Sequence, residues 1–239
     1  MKKAAISLLV LAGASLAGLQ AWARQPVVVE LFTAQGCSSC VPVNTQINQL
    51  ADRPGVIALT YGVDYWDYLG WSDTFAKPEF AQRQRAYIQR LGLRDVFTPQ
   101  VVVNGRAQAT GVRPATVERL VTEGAREDIN SPQIRIRPDG RVAVGSGPRP
   151  RGGGEVWLIR YNPRQQSIEI RQGDTRGQAI VQRNVVRQLQ RLGAWNGRPV
   201  LLRPSPPAPD EGLRTLILIQ SVRDGRVVGV MLQDSPETP

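Results

Sequence analysis

Residues 27–44 read VVVELFTAQGCSSCVPVN, and the fold turns on how that stretch is taken. The run PVVVELFTA, from Pro26 to Ala34, is apolar and β-branched, the pattern of a strand covered on both faces. It ends near Gly36, and the chain then presents Cys37 and Cys40, its only two cysteines. Beyond them VPVNTQINQLAD places Val43, Ile47 and Leu50 at helical spacing, and VIALTYGV at 56–63 reads as a second buried strand. Strand, Cys-x-x-Cys turn, helix and strand make a right-handed βαβ unit with the cysteines at the carboxyl end of its first strand.

Working outward, residues 64–93 open with the aromatics of DYWDYLGW and continue as a helix through Phe80, Tyr87, Ile88 and Leu91, ending at Gly92. TPQVVVNGRAQATGV at 98–112 reads as a hairpin, because Asn104-Gly105 supplies the two positive φ angles of a type I′ turn. RPATVERLVTEGA adds a helix with Pro114 at its start. The order β-α-β-α-β-β-α is that of a thioredoxin-like domain, here spanning 24–127. From 128 to 239 the texture changes to period-two strands: QIRIRPDGRVAV, EVWLIRY, SIEIR, and RTLILIQSVRDGRVVGVML with its turn at Asp224-Gly225. One helix is expected among them, QRNVVRQLQRLG, with Val185, Val186, Leu189 and Leu192 inward. RPSPPAPDEG is a proline-rich loop and DSPETP a frayed tail. The fold class is therefore α/β, a thioredoxin-like domain followed by a β-rich α+β C-terminal region.

The first 23 residues have the parts of a secretory signal: Lys2 and Lys3, an apolar run from Ile6 to Leu19, and Ala21-Trp22-Ala23 as the cleavage site. The mature chain is expected to start at Arg24, to keep no membrane span, and to be periplasmic or secreted, where disulfides persist. Formal charge is +10, or +8 once Lys2 and Lys3 leave with the signal, and Lys77 is then the only lysine. The arginines are scattered along the chain in company with Ala, Gly and Pro, so the charge does not argue for a nucleic-acid partner.

Three roles are open to Cys37 and Cys40. A staple across four residues constrains the unfolded chain by only about 2 kcal/mol, less than a longer loop would give. A structural zinc site wants four Cys or His, and the chain has two Cys and no His. Copper(I) accepts two thiolates, but Met231 is the only thioether of the mature chain and lies far off in sequence. No metal or other cofactor is expected. Thiol exchange fits best: unpaired N–H groups at a helix N-terminus stabilise a thiolate, and a second thiol one turn on resolves a mixed disulfide. Cys37, the more exposed, attacks, and Cys40 resolves. Thr98-Pro99, just before an apolar strand, is where a thioredoxin-like fold carries the cis-proline whose neighbour's backbone pairs with an extended substrate.

Two features temper the reactivity. Pro42 either kinks the helix or moves its regular start toward itself, leaving Cys37 on a loop. No histidine lies between the cysteines, although Ser38 and Ser39 have hydroxyls to offer a thiolate. Glu30 is a candidate proton acceptor beneath the cysteines, yet the register places Leu31 at that point, and a one-residue slip turns a side chain to the other face. Tyr65 and Trp66 are candidates to line a substrate groove, with ordinary packing as the competing role.

VVVELFTAQGCSSC, VDYWDYLGW, TPQVVVNGR and GDTRGQAIVQRNVVRQLQRLGAW together resemble a bacterial group of secreted thioredoxin-like proteins known only as a domain of unknown function. The resemblance covers most of the mature chain and implies the fold and the Cys37, Cys40 and Pro99 assignments, but no substrate. Two readings follow: an exported thiol–disulfide oxidoreductase whose partner is a thiol or disulfide substrate or a redox protein, or a thioredoxin-like binding module with a passive disulfide.

Overall fold

A computed structural model describes residues 25–206 and 212–233. The expected signal sequence, the middle of the proline-rich loop and the DSPETP tail lie outside the described residues. Strand β1 (Val27–Thr33) is buried along its whole length. It runs parallel to β2 (Val56–Gly62) and antiparallel to β3 (Gln100–Val103), which pairs with the edge strand β4 (Ala107–Thr110). Helix α1 (Cys40–Leu50) and helix α3 (Pro114–Gly124) cover one face, where Val43, Ile47, Leu50, Val117 and Leu120 meet Val29 and Leu31. Helix α2 (Pro78–Arg90) covers the other, with Phe80 and Tyr87 against Phe32 and Tyr61. This is the thioredoxin-like half.

The C-terminal strands continue the same sheet. Beyond α3 come β5 (Ile134–Ile136), β6 (Val142–Val144), β7 (Gly154–Asn162), β8 (Gln166–Glu169), β9 (Ala179–Gln182), β10 (Val185–Trp195), β11 (Val200–Leu202), β12 (Arg214–Ser221) and β13 (Val227–Gln233). β10 joins the free edge of β2 in parallel, giving an eight-stranded order β13-β12-β7-β10-β2-β1-β3-β4. A three-stranded sheet, β11-β6-β5, packs on the flank of β7 and β12 around Trp195, and β8–β9 is a separate hairpin against α1.

Residues 182–193 are therefore not a helix. Val186 and Leu189 are three apart, a helical spacing, yet both reach the α2 face from a strand. The reason is a register shift between Val186 and Gln188, where an extra residue restores the facing that strict alternation would lose. Tertiary pairing with β7 decides the state over local periodicity.

The sheet curls until its hairpin ends meet. Val227 N donates to Asn104 O at 2.9 Å, and Asn104 also pairs its side chain with Val28 N at 3.0 Å. Asn104 and Gly105 both have positive φ, 47° and 70°, as the I′ turn requires. A Cβ on Gly105 would stand 2.0 Å from Gly225 O, so only glycine permits this closure.

Inside the curl lies a buried ion pair. Arg83 Nε and Nη2 donate to the two carboxylate oxygens of Glu30 at 2.6 and 3.0 Å, with side chains 3% and 1% exposed. Tyr87 donates to the same carboxylate, and Arg83 stacks over Tyr87 and Trp157. Gln220 of β12 donates to Tyr87 Oη at 2.9 Å. Burial pushes the Tyr61 and Tyr87 hydroxyls well above the usual phenol range, so both stay protonated. Burial works against charge on Arg83, but Glu30 more than offsets it and holds the guanidinium ionised.

Removing one partner of such a pair strands the other. Arg83→Met is expected to lose roughly 3–5 kcal/mol of stability, read from the urea midpoint. The double variant Glu30→Met with Arg83→Met should recover most of that loss, because no charge is then left buried.

Candidate functional site

After β1 the chain descends through three successive turns. Cys37 N donates to Ala34 O, Cys40 N to Cys37 O and Val41 N to Ser38 O, at 3.2, 3.0 and 3.3 Å. These turns bring Cys37 and Cys40 to a Cα separation of 5.3 Å, and the two are disulfide-bonded. Ser39 is the N-cap of α1, so Cys40 is the first helical residue and Pro42 the third. A missing N–H within the first four positions deletes no intrahelical bond. Pro42 is therefore accommodated without a kink, and Cys37 stands two residues ahead of the cap.

Both cysteines are shielded. Cys37 is 2% exposed and Cys40 0%, whereas Ser38 and Ser39 between them are exposed. The expected contrast in exposure between the cysteines is thus very small. The two hydroxyls that reach Cys37 come from segments far apart in sequence: Thr98 Oγ1 donates to its Sγ at 3.4 Å, and Ser39 Oγ lies 3.4 Å from the same atom. A disulfide sulfur carries no proton, so Ser39 is the donor as well. The Thr98–Pro99 peptide is cis, and Pro99 O accepts from Gly111 N at 3.0 Å. The Ser39 and Thr98 hydroxyls are thus assembled about one sulfur, with Pro99 the next residue along the chain from Thr98. Ser38 makes no side-chain hydrogen bond among the described residues and is exposed.

Tyr65 and Trp66 pack against the core cluster that contains both cysteines. Tyr65 Oη donates to Gln84 Oε1 at 3.1 Å, and Gln84 Nε2 donates onward to Phe97 O at 2.8 Å, one residue before Thr98. The aromatic stretch, α2 and the cis-proline segment are tied together by that amide. Burial pushes the Tyr65 hydroxyl up to about 12, which keeps it a donor. Glu30 shares the cysteines' side of the sheet, but its carboxylate is occupied by Arg83 and Tyr87, and it hydrogen-bonds neither cysteine. Leu31 points into the α1–α3 core.

The residue that fixes the approach to Cys37 is Gln35, which sequence reasoning did not single out. It is 0% exposed, and every polar group it has is engaged. Its N–H donates to Asp73 Oδ2 at 2.7 Å, its amide accepts from Trp71 Nε1 at 2.9 Å and donates to Thr74 Oγ1 at 2.9 Å, and its carbonyl accepts from Thr175 Oγ1 at 2.7 Å. Trp71 closes the aromatic stretch, Asp73 and Thr74 follow it directly, and Thr175 belongs to the C-terminal region, 140 residues from Gln35. A lone glutamine two residues before the first cysteine carried no signal of its own in the sequence. Thr175 gave none.

Among the described residues no group of three or more His, Cys, Asp or Glu could hold a metal ion, and no helix is long and apolar enough to cross a membrane.

The family described as Protein of unknown function (DUF1223) matches residues 28–220, and the chain belongs to it. No curated protein matches. Among solved structures, a structural-genomics crystal structure of an Agrobacterium tumefaciens protein is similar, with a TM-score of 0.69 and 26% sequence identity, covering 90% of this chain and 97% of that one.

Asp73 supplies a pH dependence. Burial raises its pKa from 3.8 to about 6, against the opposing hydrogen bonds from Phe75 N and Gln35 N. A carboxyl with a raised folded-state pKa binds its proton more tightly when folded, so its contribution is greatest below about pH 4 and is lost as the pH rises through about 6. The unfolding free energy from urea titrations should therefore fall between pH 4 and 6 by an increment on the order of 3 kcal/mol, and Asp73→Asn should remove that increment.

Proposed function

We propose that this family member is an exported thiol–disulfide exchange protein in which Cys37 is the attacked and attacking sulfur and Cys40 the resolving one. The observation that carries the reading is the convergence on Cys37 Sγ of two hydroxyl donors, Ser39 and Thr98, beside a cis Thr98–Pro99 peptide and ahead of a helix N-terminus. Two donors aimed at one sulfur favour its anionic form, as does the N-terminal end of α1. The export part of the reading is supported by the leader pattern in residues 1–23 and by a cysteine count of two, both engaged in the bond.

In the oxidising direction a substrate thiolate attacks Cys37 Sγ, the Cys37–Cys40 bond breaks, and Cys40 leaves as a thiolate. A second substrate thiolate then attacks the substrate sulfur of the mixed disulfide and releases Cys37. The substrate loses two electrons and two protons, and the protein gains them as two thiols. The reducing direction is the reverse. Either direction requires the side chains over Cys37 to part, because an incoming sulfur must align with the bond it displaces.

A second reading has its own observation. Cysteines 2% and 0% exposed suit a passive bond, with partner recognition carried by the C-terminal strands that complete the sheet. One pair of variants separates the two. Cys40→Ala should accumulate mixed disulfides with a disulfide-bonded substrate such as insulin, its Cys37 thiolate attacking one substrate sulfur and releasing the other as a thiol, visible as a reductant-sensitive mass shift, and Cys37→Ser should lose at least 100-fold in oxidative refolding or insulin reduction. Absence of any adduct, with Cys37→Ser as active as the parent, would leave only the passive bond.

A further inference from the structure

A second feature of the molecule lies on the other side of the large sheet from α2. A cavity of about 620 Å³ opens where the β5–β6 turn and the segment after β11 meet the middle of β7, and its wall includes Asp139, Arg141, Arg160, Arg203 and Ser205. Arg160 projects into it from β7, where its cross-strand neighbours are Gln188 and Thr215. It shares a face with Leu158 and Val156 and is only 7% exposed.

A buried guanidinium is ordinarily matched by a carboxylate. Arg83 in this same protein shows the usual solution, its Nε and Nη2 edge gripping both oxygens of Glu30. Arg160 is different. Its Nη1 donates to two neutral oxygens, Gln188 Oε1 at 2.6 Å and Ser205 O at 3.1 Å, while Nε and Nη2 donate to no described group. No described acid forms an ion pair with it, and burial lowers its pKa from the ordinary guanidinium value, with no carboxylate among the described residues offsetting the effect. Elsewhere on the wall, Asp139 is already bound to Arg141 at 2.6 Å, and Arg203 has no ion-pair partner among the described residues. Three guanidiniums and one carboxylate leave the wall two positive charges in excess.

We propose that this cavity is a binding site for an oxyanion, the carboxylate or phosphate group of a small molecule. Arg160 is the buried anchor, presenting the Nε–Nη2 edge whose two parallel N–H groups fit such a group side-on. Arg203 is the second cation, at the mouth. The volume suits a small ligand, and low dielectric around Arg160 strengthens its attraction for an anion that enters. Nothing in the thiol chemistry requires this site, so its fate is independent of that reading.

Isothermal titration of the purified protein with inorganic phosphate, and separately with succinate, at ionic strength held constant with sodium chloride, tests the proposal. At least one probe should bind saturably at one site, and the two titrations tell phosphate from carboxylate recognition. Arg160→Gln should weaken that binding at least tenfold and Arg203→Ala severalfold. Circular dichroism establishes whether Arg160→Gln folds, and if it does not, Arg203→Ala decides alone. No saturable binding of either probe above the chloride background, or binding that the folded variants leave unchanged, overturns the site.

Discussion

A carboxylate in the middle of β1 has to be neutralised where no water reaches it, and that requirement organises much of this molecule. Glu30 sits on the central strand and finds its counter-charge on α2, in Arg83. Arg83 then stacks on Trp157 of β7, and Gln220 of β12 closes the hydrogen-bond set through Tyr87. One ion pair thereby draws together the thioredoxin-like strands, the helix that covers them and the strands added from the C-terminal region. The sheet curls around it, and the Asn104–Gly105 turn meets Gly225 where the curl closes. A purely apolar core would pack the same layers, but a fixed charge pair permits fewer alternative registers.

The same integration governs the cysteine turn. Here Gln35 is fastened by Trp71, Asp73 and Thr74 on one side and Thr175 on the other. Cys37 is correspondingly enclosed, and the hydroxyls of Ser39 and Thr98 address its sulfur from within that enclosure. The C-terminal region thus reaches the site through the buried Thr175–Gln35 hydrogen bond and through side chains packed in the cysteines' own core cluster, besides extending the sheet at the β2 edge. Burial raises the Asp73 pKa to about 6, so this fastening weakens as the pH rises through that value.

Most of the thioredoxin-like half was legible in the sequence because its signals are local: a β-branched run before the Cys-x-x-Cys turn, Asn104-Gly105 between strands, Pro114 opening α3. The proline after Thr98 marked the cis bond for the same reason. Residues 182–193 were misread because a bulge gave a strand the spacing of a helix, and a bulge is set by the partner strand, here β7. The short strands β9 and β11 carry too little pattern to stand out. Glu30 looked displaced by one residue from the cysteines' acceptor position, and its partner Arg83, 53 residues on, could not be read from either segment. Gln35 and Thr175 were hidden for that reason too, since a hydrogen bond across 140 residues leaves no trace in local composition.

Whether the enclosed Cys37–Cys40 bond exchanges is the claim on which the functional account rests. Its reduction potential, measured by equilibrating the protein with glutathione and quantifying the two redox forms, addresses it directly. The account predicts a value in the range of redox catalysts, roughly −120 to −270 mV, the position within that range giving the direction of electron flow. A value below about −300 mV would contradict it, because a bond that stable resists exchange and serves the fold alone.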